Sequence, residues 1–151
     1  MKGIELTHIC MALLMVTGVS NAQVSMTIGP ETKLTITGDI IISVSGDWEN
    51  QGKFIPGDGE VIFNGVGIQE LSSSADELFT KFTADKPGSV LKLNIPVTVS
   101  RTFTFLEGQI DNSSYTLTLE KGANWTLQDG LAQTTTSKVA LNEISAFASR
   151  I

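Results

Sequence analysis

Seven carboxylates, Asp47, Asp58, Glu60, Asp76, Glu77, Asp85 and Asp111, are the residues of this chain most readily imagined doing chemistry, as a paired-carboxylate glycosidase or a calcium site. A calcium loop requires oxygen ligands at fixed spacing, and neither a D-x-D-x-D-G run nor a G-G-x-G-x-D repeat is present. A glycosidase needs two carboxyl groups set across a cleft. Asp39, Asp47 and Asp58 each adjoin a glycine, where turn formation already accounts for an aspartate. No catalytic residue is therefore assigned. Trp48, Trp125 and Tyr115 could stack on sugar rings. Trp48 is expected in the core, whereas Trp125 is kept as a weak ligand-binding candidate.

The only histidine and the only cysteine, His8 and Cys10, lie near the N-terminus. There Lys2 precedes an apolar run from Ile9 to Val19 that ends in Ser20-Asn21-Ala22. This is the pattern of a cleavable signal peptide over residues 1–22, with a mature chain beginning near Gln23. The run is shorter than the roughly 20 apolar residues a membrane-spanning helix needs, so no transmembrane segment is expected in the mature protein. Cys10 follows Thr7-His8-Ile9 and precedes most of the apolar run, which argues against lipidation. Without residues 1–22 the chain holds neither thiol nor imidazole. Disulfides, Cys nucleophiles, Ser-His-Asp triads and His/Cys zinc sites are then excluded, and no cofactor or metal is expected. Cleavage removes Lys2 and Glu5 together, so the net charge of −6 is unchanged. An acidic chain has no electrostatic attraction for a phosphate backbone, and nucleic acid is not an expected partner.

The remainder is one domain's worth of chain, and it must position whatever site exists with β-structure. Strand signals recur at Leu34–Thr37, Ile40–Val44, Glu60–Phe63, Val90–Leu93, Val97–Val99, Phe103–Phe105 and Tyr115–Leu119. Several alternate large apolar residues with Thr, Ser or Lys, which puts one set on a buried face and the other in water. Between them stand turn signals such as Ser45-Gly46-Asp47, Pro56-Gly57-Asp58-Gly59, Asn64-Gly65, Lys86-Pro87-Gly88 and Lys121-Gly122. Short strands with frequent turns predict an all-β fold, a parallel β-solenoid or, alternatively, a β-sandwich.

An internal similarity favours the solenoid. Val44 to Phe54 can be laid over Val99 to Ile110 at an offset of about 55, pairing Trp48 with Phe103 and Phe54 with Ile110; stacked repeats bury their apolar faces on one another. Ser74-Ala75-Asp76-Glu77 fits a helix capping box, but Thr80 and Thr83 make a strand around Phe79–Thr83 the preferred reading. Val139, Leu141, Ile144, Phe147, Ala148 and Ile151 follow a helical period and predict a short terminal helix in a tail over 128–151, beyond a β-repeat domain over 23–127. Asn112-Ser113-Ser114 and Asn124-Trp125-Thr126 match the N-glycosylation pattern, which implies surface positions.

The run Gly46-Asp47-Trp48-Glu49-Asn50-Gln51-Gly52-Lys53-Phe54-Ile55-Pro56-Gly57-Asp58-Gly59-Glu60-Val61-Ile62-Phe63-Asn64-Gly65 resembles a signature of repeat-built, adhesin-like surface proteins of Bacteroidetes-type bacteria. Gln69-Glu70-Leu71-Ser72, the Val90–Val99 stretch, Glu107-Gly108-Gln109-Ile110-Asp111 and Leu117-Thr118-Leu119 continue the resemblance, which covers roughly Leu34 to Ala123. It implies a β-solenoid, an exported or surface location and an adhesive or structural role toward surface glycans or surface proteins. It carries no catalytic residue, and this chain corresponds to a short or truncated member. An exposed solenoid end is an unpaired strand edge, which leaves room for self-association.

Overall fold

The computed structural model describes residues 23–112, 114–127 and 139–141. The strands are β1 (Met26–Ile28), β2 (Lys33–Thr35), β3 (Ile41–Val44), β4 (Trp48–Asn50), β5 (Lys53–Ile55), β6 (Glu60–Phe63), β7 (Gln69–Ser73), β8 (Glu77–Leu93), β9 (Val97–Asp111), β10 (Leu117–Leu119), β11 (Asn124–Leu127) and β12 (Val139–Leu141). Every strand pairing among the described residues is parallel, each joining residues 19 to 23 positions apart. The chain is thus a parallel β-solenoid of about 5 turns, and the antiparallel sandwich is ruled out. No helix among the described residues is long and apolar enough to cross a membrane.

Each coil has three faces. The first carries β1, β4, β7 and the final stretches of β8 and β9. The second carries β2 and β5, then the starts of β8 and β9, followed by β10 and β12. The third carries β3, β6, the middles of β8 and β9, and β11. β8 and β9 are long because they run around corners without leaving the ladder, with register shifts between Phe79 and Lys81 and between Asp85 and Val90.

Alternation sends one side chain in two to the interior, and parallel register stacks like on like. On the third face the interior column reads Ile42, Val61, Phe82, Phe103, Trp125. Trp48, fully buried, lies edge-on to Phe54, Phe63 and Phe79 at centroid distances of 5.0, 6.1 and 5.5 Å. Phe82 continues the stack at 4.9 Å from Phe63 and 5.9 Å from Phe103. Each such side chain contributes about 1.5–3 kcal/mol by burial, and edge-to-face pairing adds to it. Val44, Phe63, Leu93, Val97, Val99 and Leu117 are buried as alternation predicts, with Ile42 packed against them.

Two expectations change. The offset of 55 is not the repeat: Val44 stacks below Phe63, Ala84 and Phe105 rather than Val99, and Trp48 stacks between Met26 and Leu71. An interval near 55 is between two and three coils, so it brought residues of different faces into apparent register. Val139–Leu141 form a strand on β10 where helical spacing was expected; the rest of that terminal stretch lies outside the described residues, as does the segment over 1–22. The Glu77–Leu93 stretch is strand, as preferred over the capping-box helix.

Coil length varies at the corners: between the second and third faces from Thr80 alone in one coil to 36–40 in another, and also after the third face. The corner after the third face takes up 64–68 in one coil and 85–89 in the next, but only 45–47 in the first. Glycine is required here by close approach. A Cβ on Gly65 would stand 1.9 Å from the Ser45 carbonyl oxygen, and one on Gly108, whose φ is +95°, would stand 2.0 Å from the Lys86 carbonyl oxygen.

Candidate functional site

Two kinds of polar group could do something on this scaffold: those displayed on the outer faces and those held inside. Outside, the third face shows Ser43, Ile62, Thr83, Thr104 and Thr126 in one column and Ile41, Glu60, Lys81, Thr102 and Asn124 in the next. Neighbours in each column stand about 4.8 Å apart, the parallel-strand spacing. On the second face Leu78, Thr98 and Thr118 form a similar row. The hydroxyls are tied locally, the Thr83 hydroxyl donating to Glu60 Oε1 at 2.5 Å and the Thr80 hydroxyl to the Gly57 carbonyl at 2.6 Å. Lys81 pairs with Asp39 at 2.8 Å and Arg101 with Asp58 at 2.9 Å, each reaching two coils back. The Lys81 ammonium holds the Asp39 carboxyl below its ordinary value, by hydrogen bonding first and charge second. Pairs so exposed contribute little to stability.

Asp47, Asp58 and Glu60 thus have structural partners, Asp47 accepting from the Glu70 backbone N–H at 2.8 Å. Among the described residues no group of three or more His, Cys, Asp or Glu side chains could hold a metal ion. Trp125 has the register of the interior column above Phe103, yet is 41% exposed in the last described rung of the third face. Tyr115 is half-exposed in the turn before β10. Asn112 is buried, so the first glycosylation match puts its acceptor inside the fold, against the surface position expected of it. Asn124 is exposed and points outward beside Thr126.

Inside are two polar clusters that strand alternation gave no reason to expect. Lys86, fully buried at the corner after the third face, donates to the Gly65 carbonyl and, at 3.0 Å, to Gln69 Oε1. Gln69 Nε2 in turn donates to the Val44 carbonyl at 2.9 Å and to the Gly46 carbonyl. One ammonium and one amide thereby satisfy the carbonyls of successive corners. Burial lowers the Lys86 pKa, and the charge of Asp47 partly opposes it.

The second cluster surrounds Glu77, which is 3% exposed. Asn50 Nδ2 donates to both carboxylate oxygens, at 3.1 and 3.0 Å, while Asn50 Oδ1 accepts from the Gly52 N–H at 3.0 Å. Burial raises the Glu77 pKa above its usual 4.5, and hydrogen bonding from Asn50, Ser73 and Trp48 works the other way. Trp48 Nε1 is buried and has no acceptor within hydrogen-bonding geometry, so its influence on Glu77 is that of a nearby donor rather than of a formed bond. A depression of about 230 Å³ lies at the neighbouring corner, lined by Glu49, Asn50, Gln51 and Ser72–Ser74. Asn50 and Glu77 take inward positions on β4 and β8, two residues from the buried Trp48 and Phe79, and nothing in the sequence marks them as interior.

Compared with known proteins, the chain matches no family model, no curated protein and no solved structure.

Proposed function

We propose that the chain is an exported structural or adhesive β-repeat protein of the cell surface or the medium, with no catalytic activity. The observation that carries this reading is the pair of outward columns on the third face, where Ser43, Thr102, Thr104, Asn124 and Thr126 stand at regular spacing among Ile41, Glu60, Ile62 and Lys81. A ladder of this kind suits repetitive contact with surface glycans or other surface proteins. Export is supported by the signal-peptide pattern over residues 1–22, and the role by the resemblance to adhesin-like surface proteins.

The test is to express the full chain with a C-terminal tag in a bacterial host and recover it from the envelope and medium. N-terminal sequencing is expected to start at Gln23. The recovered protein, coated on a surface, is expected to retain cells or an arrayed glycan, and Thr104→Asp with Thr126→Asp to abolish retention without changing the melting temperature. A product confined to the cytoplasm with residues 1–22 intact would refute export. Absence of retention on every cell and glycan surface would remove the adhesive role.

A further inference from the structure

Successive coils are joined by backbone ladders on all three faces, with one interruption among the described residues. Between the second and third coils, β4 pairs with β7 and β6 with β8, but on the second face β2 and β5 form a separate two-stranded sheet that does not pair with the start of β8. The seam is closed instead by side chains. Asn50, just before β5, holds both oxygens of Glu77, the first residue of β8, and beyond the far end the Thr80 hydroxyl reaches the Gly57 carbonyl. Phe54 of β5 packs on Phe79 of β8 at 5.6 Å across the same seam. The depression lined by Glu49–Gln51 and Ser72–Ser74 lies at its mouth. A buried carboxylate therefore stands at the one place where the backbone does not hold adjacent coils together.

We infer that the seam between β5 and β8 is a proton-operated joint, closed when Glu77 is neutral and opening to water through the adjoining depression when Glu77 is ionised. The physical reason is solvation. A buried ionised carboxylate is costly unless fully compensated, and opening a seam that breaks no backbone ladder is the least expensive way to hydrate it. Among the described residues Asn50 makes the formed hydrogen bonds to the carboxylate, with Ser73 and Trp48 as further nearby donors. No cation faces it. On the elements packed around Glu77, Glu49 of β4 and Lys53 of β5 are exposed, as is Asp76 next to it. Glu70 of β7 pairs with Lys92 of β8, Lys81 of β8 with Asp39, and Arg101 of β9 with Asp58. Lys86 is engaged at another corner, Asp85 is half-buried on the stretch of β8 leading to that corner, and Glu107 and Asp111 lie at the far end of β9. The upward direction of the Glu77 pKa agrees with this lack of compensation.

The sign follows. A carboxyl group with a raised folded-state pKa leaves the folded protein with more bound protons than the unfolded chain, so stability falls as pH rises from 4.5 through the folded-state value and is level above it. Trp48 reports on the joint because its indole packs on Phe54 and Phe79. The experiment follows the emission of Trp48 in the full chain carrying Trp125→Phe, from pH 4 to pH 9. A sigmoidal red shift with a midpoint above 4.5 is expected, accompanied by faster amide exchange at Phe54 and Phe79 than the general base dependence gives. Adding Glu77→Gln is expected to remove the transition and keep the blue emission throughout. A transition of unchanged midpoint in the Glu77→Gln chain would overturn the proposal. Should that variant not fold, a carboxyl-carbon NMR titration of the otherwise unaltered chain decides: a Glu77 midpoint at or below 4.5 overturns it.

Discussion

Residues divide here by which side of a strand they occupy, and identical chemistry has opposite consequences on the two sides. Val99 and Thr104 belong to the same strand, β9, but Val99 is fully buried between Phe79 and Leu119, while Thr104 faces outward between Thr83 and Thr126. Val99→Asp is expected to abolish the folded state, since an unpaired buried carboxylate costs more than a small domain's margin of stability. Thr104→Asp is expected to shift the melting temperature by no more than a degree or two, equivalent to about 0.5 kcal/mol. Thermal denaturation followed by circular dichroism distinguishes them, and equal melting temperatures would contradict the interior assignment. This division was legible in the sequence, because alternation in Val97–Val99 and Leu117–Leu119 fixes the face without knowledge of the partner strand. The interior roles of Lys86, Gln69 and Glu77 were not legible. A charged side chain becomes an interior ligand for corner carbonyls only once coils of unequal length are stacked, and nothing local in the sequence records which carbonyls will meet it.

Among the elements, the strands with clean alternation, β3, β6, β10 and the pieces of β8 and β9, could be read directly. β4 and β5 could not: Trp48–Ile55 holds two three-residue strands around Gln51-Gly52, and such short pieces cannot be separated from the turn signal between them. β7 and β11 were missed for a related reason, since Gln69, Glu70 and Ser72 in β7 and Asn124 in β11 are polar, and only parallel stacking on a neighbour makes them strand, while β1 is a three-residue piece too short to show alternation. The fold depends as much on corners as on strands. Gly108→Ala is expected to destabilise by about 1–3 kcal/mol, because it combines positive φ with an approach to the Lys86 carbonyl that no rotamer can relieve. Gly67→Ala, also at positive φ but with nothing within 4 Å of its added methyl, is expected to cost only the backbone strain, about 1 kcal/mol. Urea denaturation of the two variants measures the difference, and equal losses would show that contact with the previous coil is immaterial.

For the whole molecule, stability is distributed along one axis. Each interior coil is held by two neighbours and each end coil by one, so the stack behaves as a chain of nearest-neighbour contacts rather than as a single globular core. Amide exchange is expected to be slowest in Val61–Phe63, Phe82–Ala84 and Val97–Val99, and faster in Met26–Ile28 and Ile41–Val44, when followed by mass spectrometry on the native chain. Uniform protection across these peptides would contradict the nearest-neighbour picture. The solenoid was legible as a class because close, even turns and alternating strands admit few other arrangements. Its true period was obscured, since coils of 19 to 23 residues slide past any fixed offset.

One of the corners that absorb this irregularity has a further consequence. Asn64–Ile68 bulges outward there, with Val66 and Ile68 exposed and Gly67 in open space, while the strands on either side keep their partners. A lengthened turn at this point displaces no rung. The corner is therefore where foreign peptide can be spliced in and displayed, and where related chains can drift in length while the ladder beneath them is conserved.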